Sequence, residues 1–262
     1  MPRLRATVSS FRHQAAMFWA EPQWIIPNVI APFVLAMVVL MIYREPSPEA
    51  VLYAVLGGGM MGMWGNTLYA SGFSIQSDRW WGTVDAIFAA PSPLIWIIGG
   101  RTIWNAFVGI VNGLFVLVAA MIIFQTPLEI ADFPLFILAF VLTLLSLAAL
   151  GMLFSAAFVL TRSAQVLTNG LEFPIYVGTG SMFPIFLLPY WTHPLSYSLA
   201  PTWGIDAIRY AALSDYAQGF SAGYWGDLLY MMILAVFYLT VSIWLYKAVD
   251  HRARKTANLM RY

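Results

Sequence analysis

The sequence predicts an all-α integral membrane protein. Of its 262 residues, 61% are hydrophobic and only 10% are charged, whereas about a quarter of the residues of an average soluble domain carry a charge. A helix needs about 20 apolar residues to cross a hydrocarbon layer about 30 Å thick, and several charge-free segments reach that length. Short segments of alternating polarity, as in a lipid-facing barrel, are absent. The spans are therefore predicted to be helices, which satisfy their own backbone groups.

The first predicted element is an interfacial helix over residues 1–22. Its apolar residues recur at helical spacing, namely Leu4, Val8, Phe11, Ala15 and Phe18. This pattern is typical of a helix whose apolar side lies among the acyl chains and whose arginines face anionic headgroups. The alternative is a frayed basic tail.

Six membrane spans are predicted to follow, and they make the chain a single transmembrane domain, 1–262. Five of the predicted spans contain no charged residue, namely Trp24–Tyr43, Val51–Ile75, Thr102–Phe124, Phe133–Thr161 and Leu228–Tyr246. A sixth lies near Gln165–Leu188 and contains Glu172, the only acidic residue expected inside a span. In the second span, Gly58 and Gly62 stand one turn apart, a spacing that allows close helix packing. The neighbour is either another helix of the same chain or a second subunit.

The basic residues predict the orientation. If the N-terminus is cytoplasmic, every one of the 13 Lys and Arg residues except Arg44 and Arg209 lies on the inner side, as the positive-inside rule requires. We therefore expect a multi-pass protein of the cell membrane (plasma or inner) with both termini in the cytoplasm. The absence of cysteine excludes disulfides and thiol catalysis. Three widely separated histidines predict no metal site.

A short amphipathic helix is predicted at residues 78–91, between the second and third spans. Ser77 is the expected cap, and Pro91 with Pro93 ends the helix. The predicted apolar face consists of Trp80 or Trp81, Val84, and Ile87 or Phe88, and the opposite face of Asp78, Gly82 and Asp85. In the cytoplasm such an apolar face is typical of an interaction surface. The alternative is a re-entrant or interfacial helix with its tryptophans at the headgroups.

Three motifs in this chain resemble those of the type-2 ATP-binding-cassette exporter permeases. The first is matched by Asp78, Arg79, Gly82, Thr83, Asp85 and Pro91. The second is GSMFPIFLLPYW, matched through Phe183, Pro184, Leu188 and Pro189, and the third is WGIDAIRY, matched through Asp206, Ala207 and Arg209. With six predicted spans, the resemblance covers nearly the whole chain.

The resemblance implies that residues 78–91 form the coupling helix, which sits in a groove of a separate ATP-hydrolysing subunit. The implied contacts are Asp78, Arg79, Trp80, Trp81, Gly82, Thr83, Val84, Asp85, Ile87, Phe88 and Pro91. The chain has no phosphate-binding loop of the G-x-x-x-x-G-K-[ST] type. We therefore expect no cofactor in this chain, with ATP and Mg on the partner ATPase subunits. The other expected partners are a second permease subunit and membrane lipid, and no nucleic acid.

A proline-rich apolar stretch precedes the last span. Five prolines fall between Phe173 and Ile205 without a charged residue, and proline breaks a helix. We expect a broken fifth span and an outer re-entrant region over residues 189–224, which together form an outer gate. The candidate pathway and gate residues are Glu172, Tyr176, Phe183, Pro184, Phe186 and Pro189. Glu172 lines either the inner vestibule or the wet cytoplasmic rim, and the aromatic residues either contact cargo or form an interfacial belt.

The predicted function is that of an exporter permease without catalytic residues. An ATP-independent channel or secondary carrier is the alternative, and an intramembrane enzyme using Ser181 and His193 is a weaker one. Asp206 and Arg209 stand three residues apart and are predicted to form an exposed pair. The cargo and the identity of the second permease cannot be read from the sequence.

Overall fold

Long apolar helices dominate the part of the chain that the structure describes. The computed structural model describes residues 2–20, 30, 34, 37–38, 57–60, 62–65, 67, 70–124, 130–159, 170, 174–181, 185–213, 216 and 219–256. Within those residues there is no β-strand. The all-helical fold class is therefore confirmed for this part of the chain.

Eight α-helices have bounds within the described residues. In chain order they are α1 (Pro2–Ala20), α2 (Ala70–Trp81), α3 (Val84–Ala89), α4 (Leu94–Phe124), α5 (Phe133–Val159), α6 (His193–Tyr197), α7 (Ala200–Ala212) and α8 (Gly223–Thr256). Two single 3-10 turns, Ile185–Leu187 and Tyr190–Thr192, precede α6. Residues 57–60, 62–64 and 174–178 are also helical.

Among the described residues, three helices are long and apolar enough to cross a membrane. These segments are Leu94–Ala119, Phe133–Phe158 and Gly223–His251, and they overlap the predicted third, fourth and last spans. The predicted spans at 24–43, 51–75 and 165–188 lie wholly or partly outside the described residues. The count of six spans therefore stays a prediction.

Two of these helices begin earlier than predicted, because charged residues lie inside them. The predicted third and last spans begin directly after a charged residue, at Thr102 and Leu228. α4 and α8 instead include these charged residues, Arg101 and Asp227, which are only 4% and 0% exposed. The expectation that Glu172 is the only acidic residue in a span is therefore wrong. Glu172 itself lies outside the described residues.

α5 is the centre of the bundle and contacts α2, α4, α7 and α8. Its buried face combines apolar residues such as Ala139 and Leu147 with Thr143, whose hydroxyl donates to the Ala139 carbonyl at 2.7 Å. Gly204 of α7 lies against this face. A β-carbon at Gly204 would be 2.7 Å from Thr143 Cγ2 and 2.8 Å from Met231 Sδ of α8. Only a glycine allows α7 to enter between α5 and α8.

Glycines of α4 allow a second close approach. β-carbons at Gly109 and Gly113 would lie 3.0 to 3.1 Å from Thr67 Oγ1 and from Met63 Sδ. Gly59, which is adjacent to the predicted pair, faces Gly113, since its β-carbon would be 3.6 Å from the Gly113 carbonyl oxygen. Gly59 therefore packs on another helix of the same chain, next to a pair of α4 glycines that was not predicted. The close packing predicted for Gly58 and Gly62 stays a prediction.

The N-terminal helix packs on α4 through its aromatic side. The rings of Phe11 and Phe18 meet Trp104 at centroid distances of 5.3 and 6.1 Å. Leu4 and Val8 are instead 71% and 43% exposed. The expectation that all the apolar residues of this helix face acyl chains is therefore wrong for its two phenylalanines, because an aromatic partner on α4 covers them.

Different helices meet at the two ends of the bundle. At the first, which we call the α3 end, the beginning of α4, the last turns of α5 and the C-terminal half of α8 meet around Leu94, Ile98, Ala156, Tyr246 and Val249. At the opposite end, the α7 end, the backbone N–H groups of residues 131 and 132 donate to carbonyls at the end of α7. α5 has 27 residues and is about 40 Å long at 1.5 Å per residue. The two ends are therefore separated by more than the thickness of a hydrocarbon layer.

Tyr238 of α8 joins the two short helices of the α7 end. Its hydroxyl donates to the Ser198 carbonyl at the end of α6 and accepts the backbone N–H of Ala200 at 3.2 Å. Irregular backbone at membrane depth needs such partners, because lipid supplies none. One side chain therefore satisfies the backbone where α6 ends and α7 begins.

Two adjacent glycines of α4 differ in how closely α1 approaches them, and this difference can be tested. A β-carbon at Gly100 would collide with the Thr7 carbonyl oxygen and lie 3.0 Å from Ser10 Cβ, whereas one at Gly99 meets nothing within 4 Å. We expect Gly100→Ala to lower the free energy of unfolding by about 1–3 kcal/mol through overpacking. The measurement is thermal unfolding of the purified protein in mild detergent.

The matched control is Gly99→Ala, which we expect to stay within about 1 kcal/mol of the parent or to gain stability through helix propensity. Equal melting temperatures for the two variants would contradict the close contact between α1 and α4.

Candidate functional site

The segment between α2 and α4 contains two helices and not one. α2 ends at Trp81, Gly82 has φ +67°, and α3 starts again at Val84. The prediction of one continuous helix over 78–91 is wrong, because the backbone enters the left-handed region, which only glycine adopts at little cost. Ser77 does not cap a helix either, since it lies inside α2 and donates to the Ser74 carbonyl at 2.8 Å.

Asp78 is the buried anchor of this segment. It forms an ion pair with Arg101 of α4, in which Nη1 donates to Oδ2 and Nη2 donates to Oδ1 at 3.1 Å. Arg101 Nη1 also donates to the Ser74 carbonyl at 3.2 Å. Asp78 is 5% exposed, so it lies against α4 and not on a polar outer face as predicted. Such a two-pronged pair fixes orientation as well as distance.

Thr83 connects the same carboxylate to the turn. Its hydroxyl donates to Asp78 Oδ1 at 3.1 Å, and its backbone N–H donates to the Asp78 carbonyl at 2.9 Å. The side chain makes no capping bond to α3. Three residues of the first motif, Asp78, Gly82 and Thr83, therefore build one turn, and Arg101 holds that turn against α4.

The outward surface beside this turn is aromatic. Trp80 and Trp81 are 57% and 62% exposed, and Pro91 is also exposed. Arg79 is half-buried beside them. The side chains of Val84, Asp85 and Phe88 lie outside the described part of the structure, so the full composition of this surface stays a prediction.

Ile87 faces the bundle instead of the outward surface. It packs on the cluster of the α3 end that contains Leu94 and Tyr246. Next to it, the backbone N–H of Leu94 donates to Asp250 Oδ2 of α8 at 3.3 Å. The assignment of Ile87 to a partner-facing row is therefore wrong, because this side chain attaches α3 to α4 and α8.

The α7 end contains a cavity of about 490 Å³. Its walls include the aromatic rings of Tyr197, Trp203, Phe220 and Tyr230, and Trp203 lies 4.7 to 4.8 Å from the rings of the last two. Phe186 also lines it. This volume is within the range of small-molecule sites, about 300–1,000 Å³.

The predicted gate residues are not one cluster. Phe186 and Pro189 are exposed near the short turns, whereas Tyr176 is buried and its ring meets Trp64 edge-on at 5.9 Å. Tyr176 also accepts the Ser181 hydroxyl on its carbonyl at 2.8 Å. The other three predicted residues, Glu172, Phe183 and Pro184, lie outside the described residues.

Asp206 and Arg209 are buried, contrary to the predicted exposed pair. They are 5% and 3% exposed. Asp206 accepts hydrogen bonds from the Tyr216 hydroxyl at 2.7 Å and the Phe220 N–H at 2.8 Å, and Arg209 Nη2 donates to the Ser181 carbonyl at 3.0 Å. Arg209 thus connects the third motif to the segment before the 3-10 turns.

Arg101 was not predicted as a partner of the first motif. The predicted third span starts after it, at Thr102, which places Arg101 outside the membrane. The signal that could have found it is the distance of seven residues between Leu94 and Arg101, which is two helical turns. An arginine two turns inside an apolar helix needs an acidic partner, and Asp78 belongs to the preceding connection.

Comparison with known proteins supplies the family. Residues 5–213 match the model of the ABC-2 type transporter family. Among curated proteins, none is significantly similar to the chain. The matched segment runs from the first turn of α1 to the end of α7, and hence includes the turn at Asp78 and the third motif. The match covers most of the chain. This protein therefore belongs to the ABC-2 type transporter family and is a membrane-embedded permease subunit that functions in transmembrane transport.

Proposed function

We propose that the chain is the permease subunit of an ATP-driven exporter and is powered by a separate ATPase subunit bound at the α3 end. The observation that carries this proposal is the exposed pair Trp80 and Trp81 beside a turn that a buried ion pair holds rigid. Family membership implies association with an ATP-binding-cassette ATPase subunit. The permease itself would supply no ATPase site, so ATP and Mg bind to the partner.

The exposed tryptophans are suited to a protein partner. Buried aromatic anchors account for much of the binding energy at protein interfaces. Trp81 has 62% of its surface free at the very end of α2, one residue before the break at Gly82. A groove on the ATPase subunit would cover both rings, and the side chains at 84, 85 and 88 would extend the contact.

The Asp78–Arg101 pair would transmit motion from that surface into the membrane. Arg101 belongs to α4, which is long enough to span a bilayer, while Asp78 is three residues from Trp81. Ile87 gives a second connection, to α4 and α8. A displacement of the turn would therefore move two spanning helices together.

Alternating access follows from this arrangement in the proposed complex. ATP binding draws two ATPase subunits together, and each moves one coupling turn. Two permease subunits then open a path between them. On this proposal the α3 end is cytoplasmic, which is supported by the exposed arginines of α1 at positions 3, 5 and 12.

An intramembrane serine enzyme is not supported by the geometry. Ser181 donates its hydroxyl to the Tyr176 carbonyl at 2.8 Å, and His193 Nε2 lies 3.1 Å from the Leu188 carbonyl. Nucleophile and base each have a backbone partner of their own. The described residues also contain no group of three or more His, Cys, Asp or Glu side chains placed to hold a metal.

Removal of one ring tests the docking surface. We expect Trp81→Ala to weaken binding of the ATPase subunit about 30-fold, because truncation of a central aromatic anchor costs about 2 kcal/mol or more. The measurement is the dissociation constant of the ATPase subunit that co-purifies with the chain from native membranes, determined on the permease in nanodiscs.

The matched control is Trp225→Ala, which removes a ring that is 67% exposed at the α7 end, and it should bind the ATPase subunit like the parent. Purification without any ATPase subunit, together with conductance or transport in the absence of ATP, would favour a channel or carrier instead.

The ion pair predicts a double-mutant result. Asp78→Leu or Arg101→Met alone should lower the free energy of unfolding by about 3–5 kcal/mol, because each leaves one buried charge without its partner. The double variant should be close to the parent in thermal unfolding, since neither charge remains. It should transport less per ATP hydrolysed, because Thr83 has lost the carboxylate that holds the turn. A double variant as unstable as Asp78→Leu would contradict this explanation.

A further inference from the structure

The last helix, α8, is the most exposed of the three spanning helices in the described chain. In its most apolar stretch 28% of the residues are buried, against 50% in each of α4 and α5. Its buried positions recur every three or four residues and form one stripe, which packs mainly on α5 and α7. They include Tyr224, Leu228, Met231, Ala235, Tyr238, Ser242, Tyr246 and Val249. Most of the remaining surface of the helix is exposed.

The exposed face of α8 is apolar between residues 225 and 244. The only charged residue in this stretch is Asp227, which is 0% exposed. Thr240 is exposed, but its hydroxyl donates to the Val236 carbonyl at 2.8 Å and is satisfied inside the helix, as a hydrocarbon environment requires. The exposed residues are Trp225, Leu229, Tyr230, Met232, Ile233, Val236, Phe237, Leu239, Thr240, Ile243 and Trp244.

A tryptophan lies at each end of this face. Trp225 and Trp244 are each 67% exposed. The 19 residues from one to the other correspond to about 28 Å of helix at 1.5 Å per residue. A hydrocarbon layer is about 30 Å thick, and tryptophan is enriched at both of its interfaces with water. The spacing of the two rings therefore matches the thickness of the layer.

A second protein helix suits this face less well than lipid does. Helices in a membrane associate through small residues, which let their backbones approach. The chain itself follows this rule, since a β-carbon at Gly100 or Gly204 would collide with a neighbouring helix. On α8, however, the small residues Ala235 and Ser242 belong to the buried stripe. The exposed face consists of large side chains and one threonine.

The charge at one end of the face fits a layer of lipid headgroups. Lys247 is exposed one turn beyond Trp244, and α8 continues through a segment whose sequence contains Arg252, Arg254 and Lys255. Basic residues directly beyond a spanning helix attract the anionic lipids of the cytoplasmic leaflet. Residues 219–224, before Trp225, contain no basic residue. The end at Trp244 is therefore the inner one.

We propose that α8 is a lipid-facing edge of the permease and that the hydrocarbon layer extends from Trp225 to Trp244. Acyl chains of the bilayer cover the exposed face between these two rings, and inner headgroups contact Lys247. The second permease subunit of the proposed complex then binds to another side of the bundle.

This position of the layer places the α3 end outside the hydrocarbon. Asp250 lies six residues beyond Trp244, about 9 Å farther along the helix. Its carboxylate accepts the backbone N–H of Leu94 at 3.3 Å, and α3 directly precedes Leu94 in the chain. A water-soluble partner can therefore reach α3 without entering the bilayer.

Site-directed spin labelling tests the position of the layer on the full-length permease in nanodiscs. The chain contains no cysteine, so one introduced cysteine gives one labelled site. We expect Val236→Cys, in the middle of the face, to be accessible to oxygen, which concentrates in hydrocarbon, and inaccessible to a water-soluble nickel chelate. The order of the two accessibilities should reverse at Lys247→Cys. The matched control is Ala235→Cys, which changes a 5% exposed neighbour and should be inaccessible to both reagents.

The distance between labels on two permease subunits separates lipid from a second subunit as the occupant. Packed helices lie about 8–10 Å apart, so two chains joined through α8 would bring labels at Val236 within about 20 Å of each other. We expect no such short distance when two labelled chains occupy one nanodisc. The measurement requires no ATPase subunit, so its outcome is independent of the docking test at Trp81.

Three results would overturn the proposal. They are an oxygen accessibility at Val236 as low as that at Ala235, access of the nickel chelate to Val236, and a label distance below about 20 Å between two subunits. The second result would identify a water-lined path, and the third a subunit interface. If Ala235→Cys does not fold, the comparison of Leu229→Cys with Val236→Cys still decides, because oxygen accessibility must rise from the edge of the layer to its middle.

Discussion

The ion pair between Asp78 and Arg101 is the interaction on which the α3 end depends. A charged side chain inside an apolar helix is costly unless a partner compensates it, and here each charge is the reason that the other is tolerated. The pair requires α2 to end beside α4. It also explains why Gly82 and Thr83 follow at once, since the turn must return to the carboxylate before α3 begins.

The sequence predicted the fold class and the long helices well, because both follow from bulk polarity. Charge-free runs located the helices that contain residues 102–124, 133–159 and 228–246. The starting point of α5 was correct, but those of α4 and α8 were wrong, by eight residues in α4, where Leu94 and not Thr102 begins the helix. The reason is physical: a window that excludes charge cannot recognise a charge that is neutralised by a distant residue.

The same limitation applies to the motif: its residues were identified from the sequence, but the direction in which each one faces was not. The resemblance identified Asp78, Gly82 and Thr83 as a group, and the structure brings them together with Arg101. An amphipathic pattern assumes an uninterrupted helix, and the positive φ at Gly82 rotates everything after it. This rotation explains why Ile87 packs on the bundle while Trp80 and Trp81 stay exposed. Local spacing cannot predict such a rotation, because glycine is also common within membrane helices.

The hydroxyl of Tyr238 has a consequence for motion at the α7 end. It bonds the end of α6 and the beginning of α7 at the same time. Separation of either from α8 would leave a backbone group at membrane depth without its partner. A movement that takes both short helices away from α8 therefore has to break two hydrogen bonds of a single side chain, so Tyr238 ties the position of both helices to that of α8.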